Sequence, residues 1–181
     1  TSSLRRQCQL KSLRPDIEVR DLRGNVNTRV RKLQEGEYDA IILACAGLER
    51  LQMDELITEA LAPPRWLPAG TQGTIGIQNR SGDEEVKALI SPLMNPEAVT
   101  RTRAERGVAT LLHGSCQVPL AVFAELESGQ VRIRSMVGTP DGSRILQAAA
   151  EGPEAETDNL ASAVANDLLE QGAGKIIAAL S

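Results

Sequence analysis

Three stretches hold residues whose types and spacing could do chemistry: Thr1-Ser2-Ser3-Leu4-Arg5-Arg6, Arg23-Gly24-Asn25-Val26-Asn27-Thr28-Arg29 and Gly114-Ser115-Cys116-Gln117-Val118-Pro119. Arginine stays charged at any physiological pH and offers a planar fork of donors that matches a carboxylate two bonds at a time. In the first stretch, Ser2 or Ser3 would cap a helix whose free N–H groups and partial positive charge attract an anion, with Arg5 and Arg6 in the same turns. The second stretch sits where a strand gives way to a helix, the place where open α/β sheets bind ligands; Gly24 permits close backbone approach, and Arg29 lies one turn on from Asn25. In the third, a Gly/Ser turn presents Cys116 outside the pattern of a core position. Several arginines beside one open thiol suggest a polyanionic substrate held next to a covalent attachment point. The competing reading is a set of ordinary caps with solvated basic faces. His113, three residues before Cys116, invites a Cys/His nucleophile, but no Asn or Asp partner is evident, and a histidine at a helix end also reads as a C-terminal cap.

The elements that must position these residues follow from local pattern. A helix runs from Ser2 or Ser3 to about Leu13 and ends at Arg14-Pro15. Ile17–Arg20 alternates as a strand, residues 25–33 form a second helix stopped by Gly36, and Asp39–Ala44 is the apolar run of a buried parallel strand. Residues 46–51 open a further helix. This alternation predicts a parallel sheet with helices on both faces. Pro63-Pro64 to Gly70 reads as a linker, Thr74–Ile77 as a short strand, Asp83–Leu93 as a helix, and Asn95-Pro96 as the start of a helix to about Leu112. Three alternating runs follow, 120–125, 131–137 and 144–150, joined by Ser128-Gly129 and Pro140-Asp141-Gly142; then come an amphipathic helix over 155–171 and a short apolar end helix. This last part predicts an antiparallel three-stranded sheet with helices on one face, and composition breaks near residue 92.

Composition bounds the function. The 181 residues carry a net charge of -4, yet residues 1–32 hold nine Lys or Arg against three acids, so that segment is +6 and the remainder -10. A confined basic segment on an acidic protein points to a local anionic ligand. Tyr38, Trp66 and Phe123 are the only aromatic residues, too few for base-stacking platforms, so nucleic acid is not expected as a partner. Cys8, Cys45 and Cys116 form no CxxC and no Cys/His cluster, so no metal site is expected. Free thiols and no signal peptide lead to an expected cytoplasmic location, and no apolar run reaches membrane-spanning length. The chain begins at Thr1, inside what reads as a strand-to-helix turn, and is expected to be a fragment or a processed chain.

Taken with Tyr38-Asp39-Ala40-Ile41-Ile42-Leu43-Ala44, Ala46-Gly47-Leu48-Glu49-Arg50 and Leu67-Pro68-Ala69, these stretches resemble the porphobilinogen deaminase (hydroxymethylbilane synthase) family along essentially the whole chain. The resemblance implies an α/β fold: a parallel-sheet, periplasmic-binding-protein-like domain, incomplete here, over residues 1–67; a linker and returning segment of an upstream domain over 68–92; and a small α+β domain over 93–181 carrying the cofactor cysteine. It implies a cytoplasmic, monomeric transferase of heme biosynthesis that condenses four porphobilinogen molecules into a linear tetrapyrrole with release of ammonia. The reaction would be primed by a dipyrromethane joined to Cys116 by a thioether. Arg5, Arg6, Arg23, Arg29 and Arg50 match arginines that bind the acetate and propionate carboxylates of cofactor and growing chain, with Ser3, Asn25 and Gln72 as polar contacts. Its implied partners are porphobilinogen, the growing polypyrrole and the chain's own upstream segment, which would supply the catalytic aspartate. Two positions depart from the family pattern: Thr71-Gln72-Gly73 replaces Gly-Gln-Gly, and Gly114-Ser115-Cys116 replaces Gly-Gly-Cys. A non-enzymatic anion-binding α/β module is the alternative function.

Overall fold

Alternation in the C-terminal part builds the sheet it predicts. In the computed structural model, which describes residues 1–113 and 118–180, strands β1 (Leu120–Glu127), β2 (Gln130–Gly138) and β3 (Ile145–Pro153) pair antiparallel in chain order. Register places Val122 opposite Ser135, Ala124 opposite Ile133 and Ala148 opposite Ser135, so one face is continuously small or apolar. Two long helices cover that face. Helix α5 (Pro96–Leu111) starts with Pro96 in its first turn and with the Asn95 carboxamide accepting from the Ala98 amide at 2.9 Å, satisfying one otherwise free donor. Helix α6 (Thr157–Glu170) and helix α7 (Ala173–Ala178) complete the layer. The core formed there includes Val108, Leu112, Val122, Ile133, Val137, Val164 and Leu168, all at most 1% exposed.

The N-terminal part is helical: α1 (Leu4–Leu13), α2 (Val26–Gln34), α3 (Cys45–Glu49) and α4 (Glu84–Ile90). Helix α2 is capped by Asn25, its carboxamide accepting from the Thr28 amide at 2.8 Å, as the competing reading of that stretch has it. Ser3 occupies the cap position of α1, but its side chain makes no capping bond. The Ser2 hydroxyl is spent elsewhere, donating to the Leu22 carbonyl at 3.1 Å and accepting from the Leu22 amide at 3.0 Å.

The expected parallel sheet does not form. Among the described residues the only sheet is the antiparallel one, and residues 17–20, 39–44 and 74–77 are not in strands. A strand exists by virtue of a ladder partner, and these segments find none within the described residues. Side chains satisfy some of their backbone groups instead. Arg6 donates to the Ile42 carbonyl at 3.0 Å, and just past the first segment the Tyr38 hydroxyl donates to the Asp21 carbonyl at 2.7 Å while Ser2 takes both polar groups of Leu22. Ile75 and Ile77 stay 79% and 54% exposed.

The back of the sheet meets α1. Cys8, Leu67, Ala121 and Met136 form a second buried cluster with Phe123 and Ile145 packed against it. Contact is close enough that a Cβ at Gly138 would lie 2.3 Å from the Cys8 Sγ, so this β2 position must be glycine. Gln9, also buried, donates to the Leu67 carbonyl at 3.0 Å and accepts from the Leu67 amide at 2.9 Å. The C-terminal half of α1 is thereby fixed to the sheet, leaving its N-terminal turns to carry the arginines.

Candidate functional site

Each arginine of interest sits at the end of an element that fixes it. Arg5 and Arg6 occupy the first turn of α1. The two Ser2–Leu22 bonds tie that turn to the extended segment that carries Arg23. Gly24 then turns the chain into α2 with φ +122°, and a Cβ there would press on the Thr28 side chain at 2.9 Å, so the turn depends on glycine. Arg29 folds back over this turn, its Nε donating to the Gly24 carbonyl at 2.7 Å. Helix α3 packs beside the start of α2, since a Cβ on Gly47 would lie 3.4 Å from the Val26 side chain. Arg50 follows α3 directly.

The arginines fall into two groups. Arg14, Arg20, Arg31, Arg80, Arg101, Arg103, Arg132 and Arg134 each pair with an Asp or Glu. Arg5, Arg6, Arg23, Arg29 and Arg50 have no carboxylate partner among the described residues; Arg65, Arg106 and Arg144, on other elements, share that property. Among the described residues, the Arg6 and Arg29 side chains donate to backbone carbonyls, those of Ile42 and Gly24. Arg5 goes further: its Nε is buried and has no hydrogen-bond partner among the described residues. Burial lowers the Arg5 pKa, and the neighbouring Arg6 charge adds to the effect; burial and then the Arg29 charge lower that of Arg6. Cations set side by side, partly desolvated and without counter-charges form a receptor for an anion.

The structure thus gathers Arg5, Arg6 and Arg29 into one electrostatic neighbourhood, with Arg23 and Asn25 on the turn attached to it. Ser3 lies at the same helix end. Arg50 is exposed at the far end of α3, and no described contact joins it to the others. Gln72 is exposed on a turn beyond Leu67. Cys116 lies outside the described residues. The other cysteines differ in setting: Cys8 is fully buried with its thiol pushed up to about 11, chiefly by burial, while Cys45 is half-buried at the start of α3.

Residues 1–88 match the family model described as porphobilinogen deaminase, dipyromethane cofactor binding domain, and residues 99–170 match porphobilinogen deaminase, C-terminal domain. The chain belongs to the porphobilinogen deaminase family. This family is a transferase, hydroxymethylbilane synthase, that acts on porphobilinogen, and its cofactor is a dipyrromethane. The residues present fit such a group. A carboxylate-bearing pyrrole chain needs cationic forks with no internal acid competing for them, and the buried, partnerless Arg5 Nε is a donor left for such an acceptor. A non-enzymatic anion-binding module is not favoured by these matches. Among the described residues no group of three or more His, Cys, Asp or Glu could hold a metal ion, and no helix is long and apolar enough to cross a membrane.

Sequence reasoning missed Glu105. Its side chain is buried under the turn that carries Gln72 and accepts from two backbone amides, those of Thr71 and Ala124, the latter at 2.8 Å. A signal was available: Glu105 stands three residues before Val108 and seven before Leu112, in phase with the buried stripe of α5. The run Arg101-Thr102-Arg103-Ala104-Glu105-Arg106 masks it as a solvated charged face.

Proposed function

We propose that this chain provides the carboxylate-binding and cofactor-tethering half of the hydroxymethylbilane synthase reaction, the stepwise condensation of four porphobilinogen molecules with release of ammonia. The observation that carries the reading is the set of five arginines without acid partners among the described residues, one of them with a buried donor that has no partner there. Arg5, Arg6, Arg23 and Arg29 would take the acetate and propionate groups of cofactor and growing chain, with Ser3, Asn25, Gln72 and Arg50 around them. Cys116 would hold the dipyrromethane through a thioether. The bound dipyrromethane supplies a nucleophilic pyrrole carbon at which the chain is extended.

The chain's own residues bind and orient. Paired guanidinium forks fix a carboxylate in plane as well as in place, so a chain with carboxylates on each ring is held in register. Charge that develops on a pyrrole nitrogen calls for a carboxylate beside it. The acid closest in sequence to this cluster, Asp21, already accepts from the Gln7 side chain at 3.0 Å. The family resemblance, rather than this contact, is what implies that turnover uses an aspartate beyond these 181 residues.

Intact mass under denaturing conditions tests the proposal. Protein made in cells that synthesise porphobilinogen should carry a covalent increment of two pyrrole units, absent from Cys116→Ser and retained by Cys8→Ser. An unmodified Cys116 with full porphobilinogen turnover would refute it. Ammonia release from the 181-residue chain, compared with a chain extended upstream, tests the division of labour: equal rates would place the catalytic acid within these residues.

A further inference from the structure

The Gln72 turn is held from both sides. At its start, Gln9 of α1 grips both polar groups of Leu67. At its end, Thr71 adopts φ +59°, and its amide donates to the Glu105 carboxylate. The other oxygen of that carboxylate accepts from the Ala124 amide in β1 at 2.8 Å. Gly70 sits between them, where a Cβ would lie 3.8 Å from the Glu105 and Val122 side chains. One buried carboxylate therefore joins three elements: α5, strand β1 and the turn bearing Gln72.

We propose that Glu105 is a positioning residue of the reaction: by accepting from the Thr71 and Ala124 amides together, it fixes the Gln72 turn relative to the strand that follows Cys116. The assignment rests on the function proposed above, since Gln72 counts as a cofactor contact only within it. A role in stability alone does not explain the choice of residue. Burial raises the Glu105 pKa against the pull of its two amide donors and of Arg101, so the ionised carboxylate carries a desolvation penalty that an apolar residue would avoid. What an apolar residue cannot do is accept from two amides on different segments. A carboxylate does this with both oxygens, whereas a carboxamide presents a donor to one of them.

The test uses the intact enzyme, with Glu105→Gln, Gln72→Ala, their double variant, and Val108→Ala as a core control on the same helix. Amide hydrogen exchange should show a local loss of protection of about tenfold or more at residues 69–73 in Glu105→Gln, with α6 unchanged. Displacing the turn should lower kcat/KM for porphobilinogen by about 10- to 100-fold, as small misplacements of binding groups do. Glu105→Gln and Gln72→Ala should be non-additive in the double variant. Val108→Ala should lower the melting temperature without changing KM. The proposal is overturned if Glu105→Gln behaves like Val108→Ala, if its effect multiplies with that of Gln72→Ala, or if exchange at 69–73 is unchanged. Should Glu105→Gln not fold, Glu105→Asp takes its place: its carboxylate is one methylene short and should lose the same local protection, and wild-type exchange there would equally overturn the proposal. If no form of the enzyme turns over porphobilinogen, the functional reading fails on its own, and the exchange measurement still decides whether Glu105 holds the turn.

Discussion

Replacing Arg5 by Met should make the protein more stable and less able to bind its ligand. Methionine keeps an unbranched stem and a good helix propensity, so packing and helix are nearly preserved while the guanidinium is removed. In the free protein that guanidinium is a liability, because its Nε is buried without a partner and the Arg6 charge adjoins it. A buried unsatisfied donor costs about 1–3 kcal/mol; recovering about 1 kcal/mol of it would raise the melting temperature by about 2–4 °C for a chain of this size. With a carboxylate bound, the same group becomes a charge-assisted donor worth about 1.5–3 kcal/mol, or about 10- to 150-fold in affinity. The assay pairs thermal unfolding of cofactor-free protein with calorimetric titration of porphobilinogen into the cofactor-bearing form, both at fixed ionic strength. Arg5→Met should melt higher and bind more weakly. A melting temperature lowered by several degrees with affinity unchanged would show that Arg5 serves the fold, and would refute the reading of its orphan donor as a ligand site.

Three further outcomes are expected. The Cys8 thiol, pushed up to about 11 and fully buried, should resist alkylation in folded protein at pH 8, where about a thousandth of such a thiol is ionised; peptide masses before and after denaturation check this, and prompt labelling of native protein would contradict it. Gly24→Ala must hold an alanine at φ +122° against Thr28, at a cost of about 1–2 kcal/mol, so its melting temperature should fall by about 2–8 °C; an unchanged melt would show that the turn relaxes freely. The Asp141 carboxyl is held down to about 2 by the Thr139 and Ser143 hydroxyls and the Ser143 amide, below its ordinary 3.8, so its contribution is present above about 3.8 and lost as pH falls through about 2. Acid unfolding followed by circular dichroism should therefore be shallower between pH 4 and 2 for Asp141→Asn than for the parent, and identical profiles would contradict the assignment.

The antiparallel sheet and its helices were legible because their signals are local. Alternation over β1–β3, Ser128-Gly129 and Pro140-Asp141-Gly142 at the turns, and Asn95-Pro96 before α5 each specify a conformation within a few residues. The strands expected at 17–20, 39–44 and 74–77 had alternation or apolar content behind them, which record a wish for burial but not the presence of a neighbour. Pairing is a property of two segments, and one segment's composition cannot supply it. Residue type marked the candidate arginines, because an arginine fork matches a carboxylate and several fell near helix starts. Whether an arginine lacks an acid is decided by the folded structure, as the contrast between Arg20, bound to Glu18, and Arg23, without an acid partner among the described residues, shows. Glu105 was missed for a different reason: its phase with Val108 and Leu112 marked it as buried, but its partners are backbone amides, which leave no trace in the residue letters.

Helix α1 has three consecutive buried residues, Gln7, Cys8 and Gln9, each engaged on a different side: with Asp21, with Gly138 of β2, and with Leu67. Such a helix has lost its freedom to turn about its own axis. Adding or deleting one residue between Arg6 and Cys8 would rotate everything ahead of it by about 100° and shift it by about 1.5 Å, carrying both guanidinium groups off the ligand side while the sheet contacts stayed in place. What is constrained here is a count of residues as much as their identities. Substitutions along α1 would be graded in their effect, whereas any change in its length before Cys8 would act as a frame error in the geometry of the site.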